Sequence, residues 1–290
     1  MGFRSGFVPI LGQPNVGKST LLNRLVGEKI AIVTPKPQTT RNRILGILTT
    51  SGFQAVFVDT PGLIQPRYPL QEYMAKAARK AAREGDLILY MVDVRDEPKG
   101  EGLKDLRIPT ILVINKVDLL KDKGALLPLL DEYRRQGEFR ELIPISALTG
   151  DGVVKLLKLI ESHLPLGPAF YPADKLTESS ERFIASELIR EKVFLLLKQE
   201  IPYGTAVKVE EYKEKADTLY IRAIIFVEKR SQKGILIGQG GGMLKRLGQL
   251  SRLELEELLG KRVYLDLWVK VREKWRKRRE DLRYLGYGTI

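Results

Sequence analysis

Along the first 162 residues, short apolar runs alternate with longer stretches of helical spacing. Phe7–Leu11, Phe53–Val58, Asp86–Asp93, Pro109–Ile114 and Glu141–Ile145 read as strands. Leu21–Leu25, Glu72–Arg83, Gly124–Gly137 and Gly152–Ser162 place their apolar residues on one helical face. Arg43–Thr50 and Phe53–Val58 flank Ser51-Gly52, a hairpin signal. Strand and helix signals in alternation predict a mixed, mostly parallel sheet with helices on both faces. The polar stretch Thr34–Arg43 predicts an exposed loop, and the compact segment between Asp93 and Pro109 leaves its helix unassigned.

Pro165, Gly167, Pro168 and Pro172 then mark a linker. Ser179–Gln199 predicts an amphipathic helix, with Phe183, Leu188, Ile189, Val193, Leu196 and Leu197 on or near one face. Thr205–Tyr212 and Thr218–Val227 read as strands joined by the polar Lys213–Asp217. Ser231–Ile237 and Met243–Leu259 flank a glycine cluster, Arg262–Val271 reads as a last strand, and a basic tail helix closes the chain. The expected division is an α/β domain over 1–163, a linker over 164–174, a smaller α+β domain over 175–272 and a tail over 273–290.

The chain has no cysteine, which excludes disulfides and thiolate metal sites, and His163 alone cannot build a zinc site. Its best apolar run, Leu87–Val92, is far too short to span a bilayer, so an intracellular, cytoplasmic protein is expected. The formal net charge is +13, and both halves are basic: 24 basic and 18 acidic residues over 1–173, 25 and 18 over 174–290. Local clusters are more telling. Lys229-Arg230-Lys233, Lys245-Arg246-Arg252 and the tail from Lys270 to Arg279 predict a polyanion partner, either nucleic acid or an acidic membrane surface.

Candidate chemistry begins at Gly12–Thr20, Gly-Gln-Pro-Asn-Val-Gly-Lys-Ser-Thr, between a strand and a helix. This is the phosphate-binding loop in the context it requires. Gly12 and Gly17 allow the tight turn, and the N–H groups around Asn15, Val16, Gly17 and Thr20 would face a phosphate. Lys18 would reach the β- and γ-phosphates, and Ser19 would ligate Mg²⁺. Asp59-Thr60-Pro61-Gly62 ends the next strand, where Asp59 would hold Mg²⁺ through water and the Gly62 N–H would bond a γ-phosphate. Asn115-Lys116-Val117-Asp118 ends another. Asp118 can accept both N1–H and the 2-amino group of guanine, donors that adenine does not offer together. Asn115 would tie down the loop, the Lys116 stem would cover the base, and the Ala147 N–H of Ser146-Ala147-Leu148 would reach the guanine oxygen. Four such loops in this order make a GTP-binding domain. Thr39 or Thr40 would close over the γ-phosphate and Mg²⁺. Leu63 stands where many GTPases carry a water-orienting glutamine, so intrinsic hydrolysis should be slow. Segments Thr34–Arg43 and Gln65–Tyr73 are candidate switches that would order around GTP and relax with GDP.

In the second half, Gly238-Gln239-Gly240-Gly241 sits between two helices and follows Ile235-Leu236-Ile237. A KH domain, type II in this element order, clamps about four single-stranded nucleotides at such a turn. Ile237 and Gly238 to Gly241 would face the strand, with Lys233, Lys245 and Arg246 on its phosphates.

These residues carry a family resemblance. Gly12–Ser19, Gln38-Thr39-Thr40-Arg41, Asp59–Gly62, Asn115–Asp118, Ser146-Ala147 and Gly238–Gly241 resemble the Era family, bacterial GTPases with an N-terminal G domain and a C-terminal KH domain. The resemblance spans about residues 6–286. It implies GTP hydrolysis, binding of small-subunit ribosomal RNA near its 3′ end, a role in small-subunit maturation, and loose peripheral membrane association. Asn15 resembles the asparagine of potassium-stimulated relatives, which adds K⁺ to GTP/GDP and Mg²⁺ as an expected cofactor. The competing reading is a membrane-associated signalling GTPase whose basic surface binds anionic lipid.

Overall fold

The structure, a computed structural model, describes residues 2–97, 108–215 and 217–288. The unassigned helix between Asp93 and Pro109 falls largely outside them. Contacts divide the chain into two compact units. One comprises Met1–Ala31, Thr40–Gln65 and Met74–Glu178; the other comprises Ile32–Thr39, Pro66–Tyr73 and Ser179–Ile290.

The first unit is built on strands β1 (Arg4–Gly12), β2 (Ile44–Thr49), β3 (Phe53–Asp59), β4 (Ile88–Asp93), β5 (Thr110–Asn115) and β6 (Glu141–Pro144). Their order is β2-β3-β1-β4-β5-β6; only the β2–β3 hairpin is antiparallel. Every residue of β3 and β5 is buried, as strands covered on both faces must be. Around the sheet lie α1 (Lys18–Val26), α2 (Pro69–Glu84), α3 (Leu126–Gln136) and α4 (Val153–His163). Helix α2 starts earlier than the periodicity predicts because Pro69 suits a first helical turn. A 3₁₀ turn over Lys123–Ala125 precedes α3. Parallel register fixes the site. Ile10 pairs with Asp59, Gly12 with Met91 and Asp93 with Asn115, so the carboxyl ends of β1, β3, β4 and β5 share one edge. Because β1 has β3 on one side and β4 on the other, the phosphate loop emerges where strand order reverses, the place an open α/β sheet binds ligands.

Residues 164–174, expected as a linker, pack on this unit instead. The Ser5 N–H donates to the Pro165 carbonyl at 3.0 Å, and Phe170 and Tyr171 donate to Oε1 of the buried Gln54 at 2.7 and 3.0 Å. The packing continues to Leu176, whose carbonyl takes the Ile47 N–H of β2 at 2.8 Å. Proline and glycine signalled irregular backbone here, and irregular backbone is not thereby loose.

The second unit holds α5 (Glu181–Leu196), β7 (Ala206–Lys215), β8 (Thr218–Val227), α6 (Arg230–Ile237), α7 (Gly242–Leu259), β9 (Arg262–Val271) and α8 (Arg279–Tyr284). Ser180 caps α5, its hydroxyl accepting the Phe183 N–H. Strand β7 runs three residues past its expected end. Its polar residues are laddered by Lys213–Glu211, Arg222–Glu211 and Lys261–Glu214 ion pairs. The sheet order is β7-β8-β9, with β8 and β9 parallel. Odd-numbered residues of β8, from Leu219 to Val227, meet Leu188, Ile189, Val193, Leu236, Leu247 and Leu255 in one core. The expected tail helix is two short pieces, a 3₁₀ turn over Trp275–Lys277 and α8. They expose Lys274, Lys277, Arg278 and Arg279 but are anchored inward: Trp275 is fully buried, donates from Nε1 to the Gly204 carbonyl at 2.8 Å and stacks on Tyr287.

Candidate functional site

In the loop between β1 and α1, Gly12, Asn15 and Gly17 all have left-handed φ, at 147°, 68° and 100°. A Cβ on Gly17 would run into Nδ2 of Asn115, so glycine is required there twice over. Lys18 is buried, with Nζ 3.2 Å from the Gly12 carbonyl and 2.8 Å from that of Gln13. Burial lowers its pKa to about 8, against the pull of Asp59. Ser19 Oγ donates to Asp59 Oδ2 at 2.6 Å and lies 2.9 Å from Thr40 Oγ1, which is itself 3.2 Å from the same Asp59 oxygen. Burial pushes the Asp59 carboxyl up, while Lys18 and the two hydroxyls oppose it. Among the described residues, Asp59 Oδ1 is buried with no partner. Two hydroxyls and a buried carboxylate with one orphaned oxygen form a hard oxygen donor set that fits Mg²⁺.

Thr39 faces elsewhere. Its hydroxyl bonds Thr34 Oγ1 at 2.6 Å and the Lys36 carbonyl at 2.8 Å, both within the second unit. Of the two threonines left open by the sequence, Thr40 is the one hydrogen-bonded to Ser19 and Asp59. A Cβ on Gly62 would sit 2.6 Å from the Pro14 nitrogen, and Leu63 donates its N–H to the Gly12 carbonyl at 3.0 Å. The Leu63 side chain packs against the core cluster that includes Leu11, Ile88 and Tyr90.

On the base side, the buried Asn115 donates from Nδ2 to the Val16 carbonyl and accepts the Ala147 N–H, each at 2.8 Å. The Ala147 N–H expected to reach guanine is thus engaged by Asn115. Lys116, at φ 67°, bridges the Asn15 carbonyl at 2.6 Å and Asp93 Oδ2 at 2.7 Å. Burial alone would raise the Asp93 pKa, but Arg95 and Lys116 prevail and hold it well below the usual carboxylate range. Asp118 is exposed in a 3₁₀ turn over Val117–Leu119. Ser146 is fully buried, its Oγ accepting the Thr149 N–H, and Leu148 is exposed. Sequence reasoning missed two residues here. Asp93 ends β4 beside the other loops, a position that could have signalled it. Arg24 on α1 donates from Nε to the Ala147 carbonyl at 3.3 Å and also bonds the Leu148 carbonyl. Nothing in its local sequence marks it.

In the second unit, Gly238, Gly240 and Gly241 have φ of 74°, 56° and 79°. A Cβ on Gly238 would meet Met243, whereas beside Gly240, Gly241 and Gly242 there is open space. Backbone can approach a ligand closely there. Next to the turn lies an open groove of about 630 Å³, lined on one side by Gly241, Leu244, Lys245, Gly248 and Arg252, and on the other by Leu265 and Leu267 of β9. Lys245 and Arg246 are exposed on α7, Lys233 is half-buried on α6, and Ile237 packs against the core. Gln239 is exposed in the turn. The expected Lys245 and Gly241 line the groove; Arg252 was seen only as part of a basic cluster, and Leu265 and Leu267 passed as ordinary core.

Comparison with known proteins recovers both domains. Residues 7–116 match a family model described as 50S ribosome-binding GTPase, and residues 200–276 match a KH domain. The chain is 51% identical over 294 residues to GTPase Era of Geobacter metallireducens, covering 98% of each chain. It is 49% identical to GTPase Era of Lactobacillus delbrueckii, over 98% of this chain and 96% of the other. Among solved structures, Aquifex aeolicus Era bound to GDP·AlF₄⁻ superposes with a TM-score of 0.96 at 40% identity, over 99% of this chain and 100% of that one. Era in complex with MgGDPNP and nucleotides 1506–1542 of 16S ribosomal RNA matches with the same score, identity and coverage.

Proposed function

Since this chain belongs to the Era family of GTPases, we propose that it hydrolyses GTP and binds the 3′ end of small-subunit ribosomal RNA in a manner tied to its nucleotide state. Its work is then in maturation of the small ribosomal subunit, in the cytoplasm. One observation supports the reading above others: a single chain joins a guanine-nucleotide site tied together by Asn115 to a basic groove beside a Gly-x-x-Gly turn.

Hydrolysis here is a matter of positioning and charge. The N–H groups of Asn15 to Thr20 and the start of α1 cradle phosphates. Lys18 turns from the Gly12 and Gln13 carbonyls to the β- and γ-phosphates, and its charged form is then favoured. Ser19 and Thr40, with Asp59 behind them, hold Mg²⁺, which neutralises charge developing on the phosphates. Thr39 contributes through the placement of its segment. The Gly62 N–H meets the γ-phosphate. On the base, Asp118 accepts the two guanine donors, the Lys116 stem covers the ring, and the Ser146-Ala147-Leu148 loop, pinned by Arg24 and by the Ala147 N–H on Asn115, leaves the Leu148 amide for the guanine oxygen. Leu63 offers no acceptor to orient water, so turnover without a stimulating partner is slow. Asn15 would hold K⁺, which would supply a further neutralising charge; equal turnover in K⁺ and Na⁺ would refute that role.

RNA enters the α7–β9 groove. Gly238 to Gly241 let its backbone approach, Leu244, Leu265 and Leu267 hold bases, and Lys245, Arg246, Lys233 and Arg252 meet phosphates. The test measures affinity for a single-stranded oligonucleotide copying the small-subunit 3′ end, with a non-hydrolysable GTP analogue or GDP bound, at fixed salt. Sequence-dependent binding that changes with nucleotide is expected. Binding no better than to a scrambled oligonucleotide, with stronger retention on anionic vesicles, would overturn the reading in favour of a lipid surface. No helix among the described residues is long and apolar enough to cross a membrane.

A further inference from the structure

Glu187, Arg190, Glu191 and Lys192 of α5 look in sequence like a solvated face, yet all four are buried, Arg190 and Glu191 almost completely. Burying charge is costly unless each group is paired, so the partners reveal what the arrangement achieves. Every contact that follows lies within the second unit. On one side the run holds the segment Ile32–Thr39. The Val33 N–H donates to Glu191 Oε1 at 2.8 Å, and Arg190 Nη2 donates to the Thr39 carbonyl at 2.7 Å. The Lys36 ammonium bonds the Phe194 and Leu197 carbonyls at the end of the same helix. On the other side, Lys192 Nζ lies 3.0 Å from Glu191 Oε2 and is also paired with Glu254 of α7. Glu254 is two residues from Arg252, which lines the groove, and α7 begins at the Gly-x-x-Gly turn.

Glu191 thus takes the Val33 N–H on Oε1 and pairs through Oε2 with Lys192, which also pairs with Glu254 of the groove helix. We infer that Glu191 and Lys192 are positioning residues that carry the state of segment 32–39 to α7, and so to the RNA groove. The inference rests on the reading above, in which Thr40, the next residue in the chain, orders around Mg²⁺ and triphosphate. When residues 32–39 move with it, Glu191 Oε1 loses the Val33 donor. A buried carboxylate short of one donor competes harder for Lys192, and the Lys192–Glu254 pair weakens. The middle of α7 is then held less firmly.

The experiment uses the full chain loaded with GDP or with a non-hydrolysable GTP analogue. Amide hydrogen exchange is followed by mass spectrometry over Gly242–Leu259 in wild type, Lys192→Met, Glu254→Gln, the double variant and Lys192→Arg. Wild type should show at least about a fivefold difference in α7 exchange between nucleotide states. Lys192→Met and Glu254→Gln should each erase it, the double variant should do no more than either alone, and Lys192→Arg should keep it. Nucleotide affinity should stay unchanged throughout. A wild-type α7 indifferent to nucleotide, or a Glu254→Gln protein that keeps the full difference, overturns the inference. Should Lys192→Met fail to fold, Glu254→Gln and Lys192→Arg still decide. The readout needs no RNA, so failure of RNA binding would count against the proposed function alone.

Discussion

Gly17→Ala should injure the protein in two separable ways. Alanine at φ 100° is strained whether or not nucleotide is bound, at a cost of about 1–2 kcal/mol that appears in unfolding. The new methyl group also meets Asn115 Nδ2, which must move. Asn115 then gives up its bond to the Val16 carbonyl, its bond from the Ala147 N–H, or both, each 2.8 Å long between buried groups. Restoring one such bond on binding guanine nucleotide costs about 2 kcal/mol, or about a 30-fold loss of GDP affinity. Gly27→Ala is the control. Gly27 has φ 86° and nothing within 4 Å of where a Cβ would stand, so it carries the strain without the collision. Titration with a fluorescent GDP analogue reads the first effect and urea unfolding the second. Gly27→Ala should lower stability and leave affinity alone, and Gly17→Ala should lower both. A Gly17→Ala affinity within about threefold of wild type would show that Asn115 does not join the phosphate loop to the base loop.

Lys18, near 8 in the structure against 10.5 unperturbed, should take up protons when nucleotide binds above pH 8, seen as calorimetric heats at pH 9 that depend on the buffer and converge at pH 7. For the nucleotide-free protein the sign is opposite to that of a salt-bridged lysine. The unfolded chain binds the extra proton between pH 8 and 10.5, so the cost of burying Lys18 is full below about 8 and is relieved as pH rises through that window. Trp275→Phe removes the Nε1 donor to the Gly204 carbonyl and leaves a small void, and should destabilise the second unit by about 2 kcal/mol while GTP turnover is unchanged. At Gly248 a Cβ would make ordinary contact with Leu267, so Gly248→Ala should be tolerated. Gly248→Phe should fill the groove and weaken oligonucleotide binding about tenfold or more, measured by anisotropy, again without affecting turnover.

What the sequence displayed was chemistry that depends on local backbone. The phosphate loop must turn at Gly12 and Gly17, and the second turn at Gly238 to Gly241, so both sites are written in contiguous residues. Partners brought from afar were harder to see. Arg24 reaches residues more than a hundred positions away, and Asp93 matters only once β4 and β5 lie in register. Charge gave no sign that Glu187, Arg190, Glu191 and Lys192 of α5 are covered, and at the tail seven basic residues in ten concealed a buried tryptophan. The groove-lining Leu265 and Leu267 alternate on β9 as any core residues would; only the small Gly248 opposite leaves them accessible.

The stretch that follows α4 has a consequence for handling the protein. Strand β2 ends the six-stranded sheet, and its outward N–H at Ile47 and carbonyl at Leu45 are taken by Leu176 and Thr177. An unpaired strand edge is a template on which a second chain can assemble. A truncation after His163 would strip that cover, along with Leu164, whose buried side chain lies beside Gly6 of β1. Such a fragment should self-associate through β2, whereas one ending at Glu178 keeps its edge sealed.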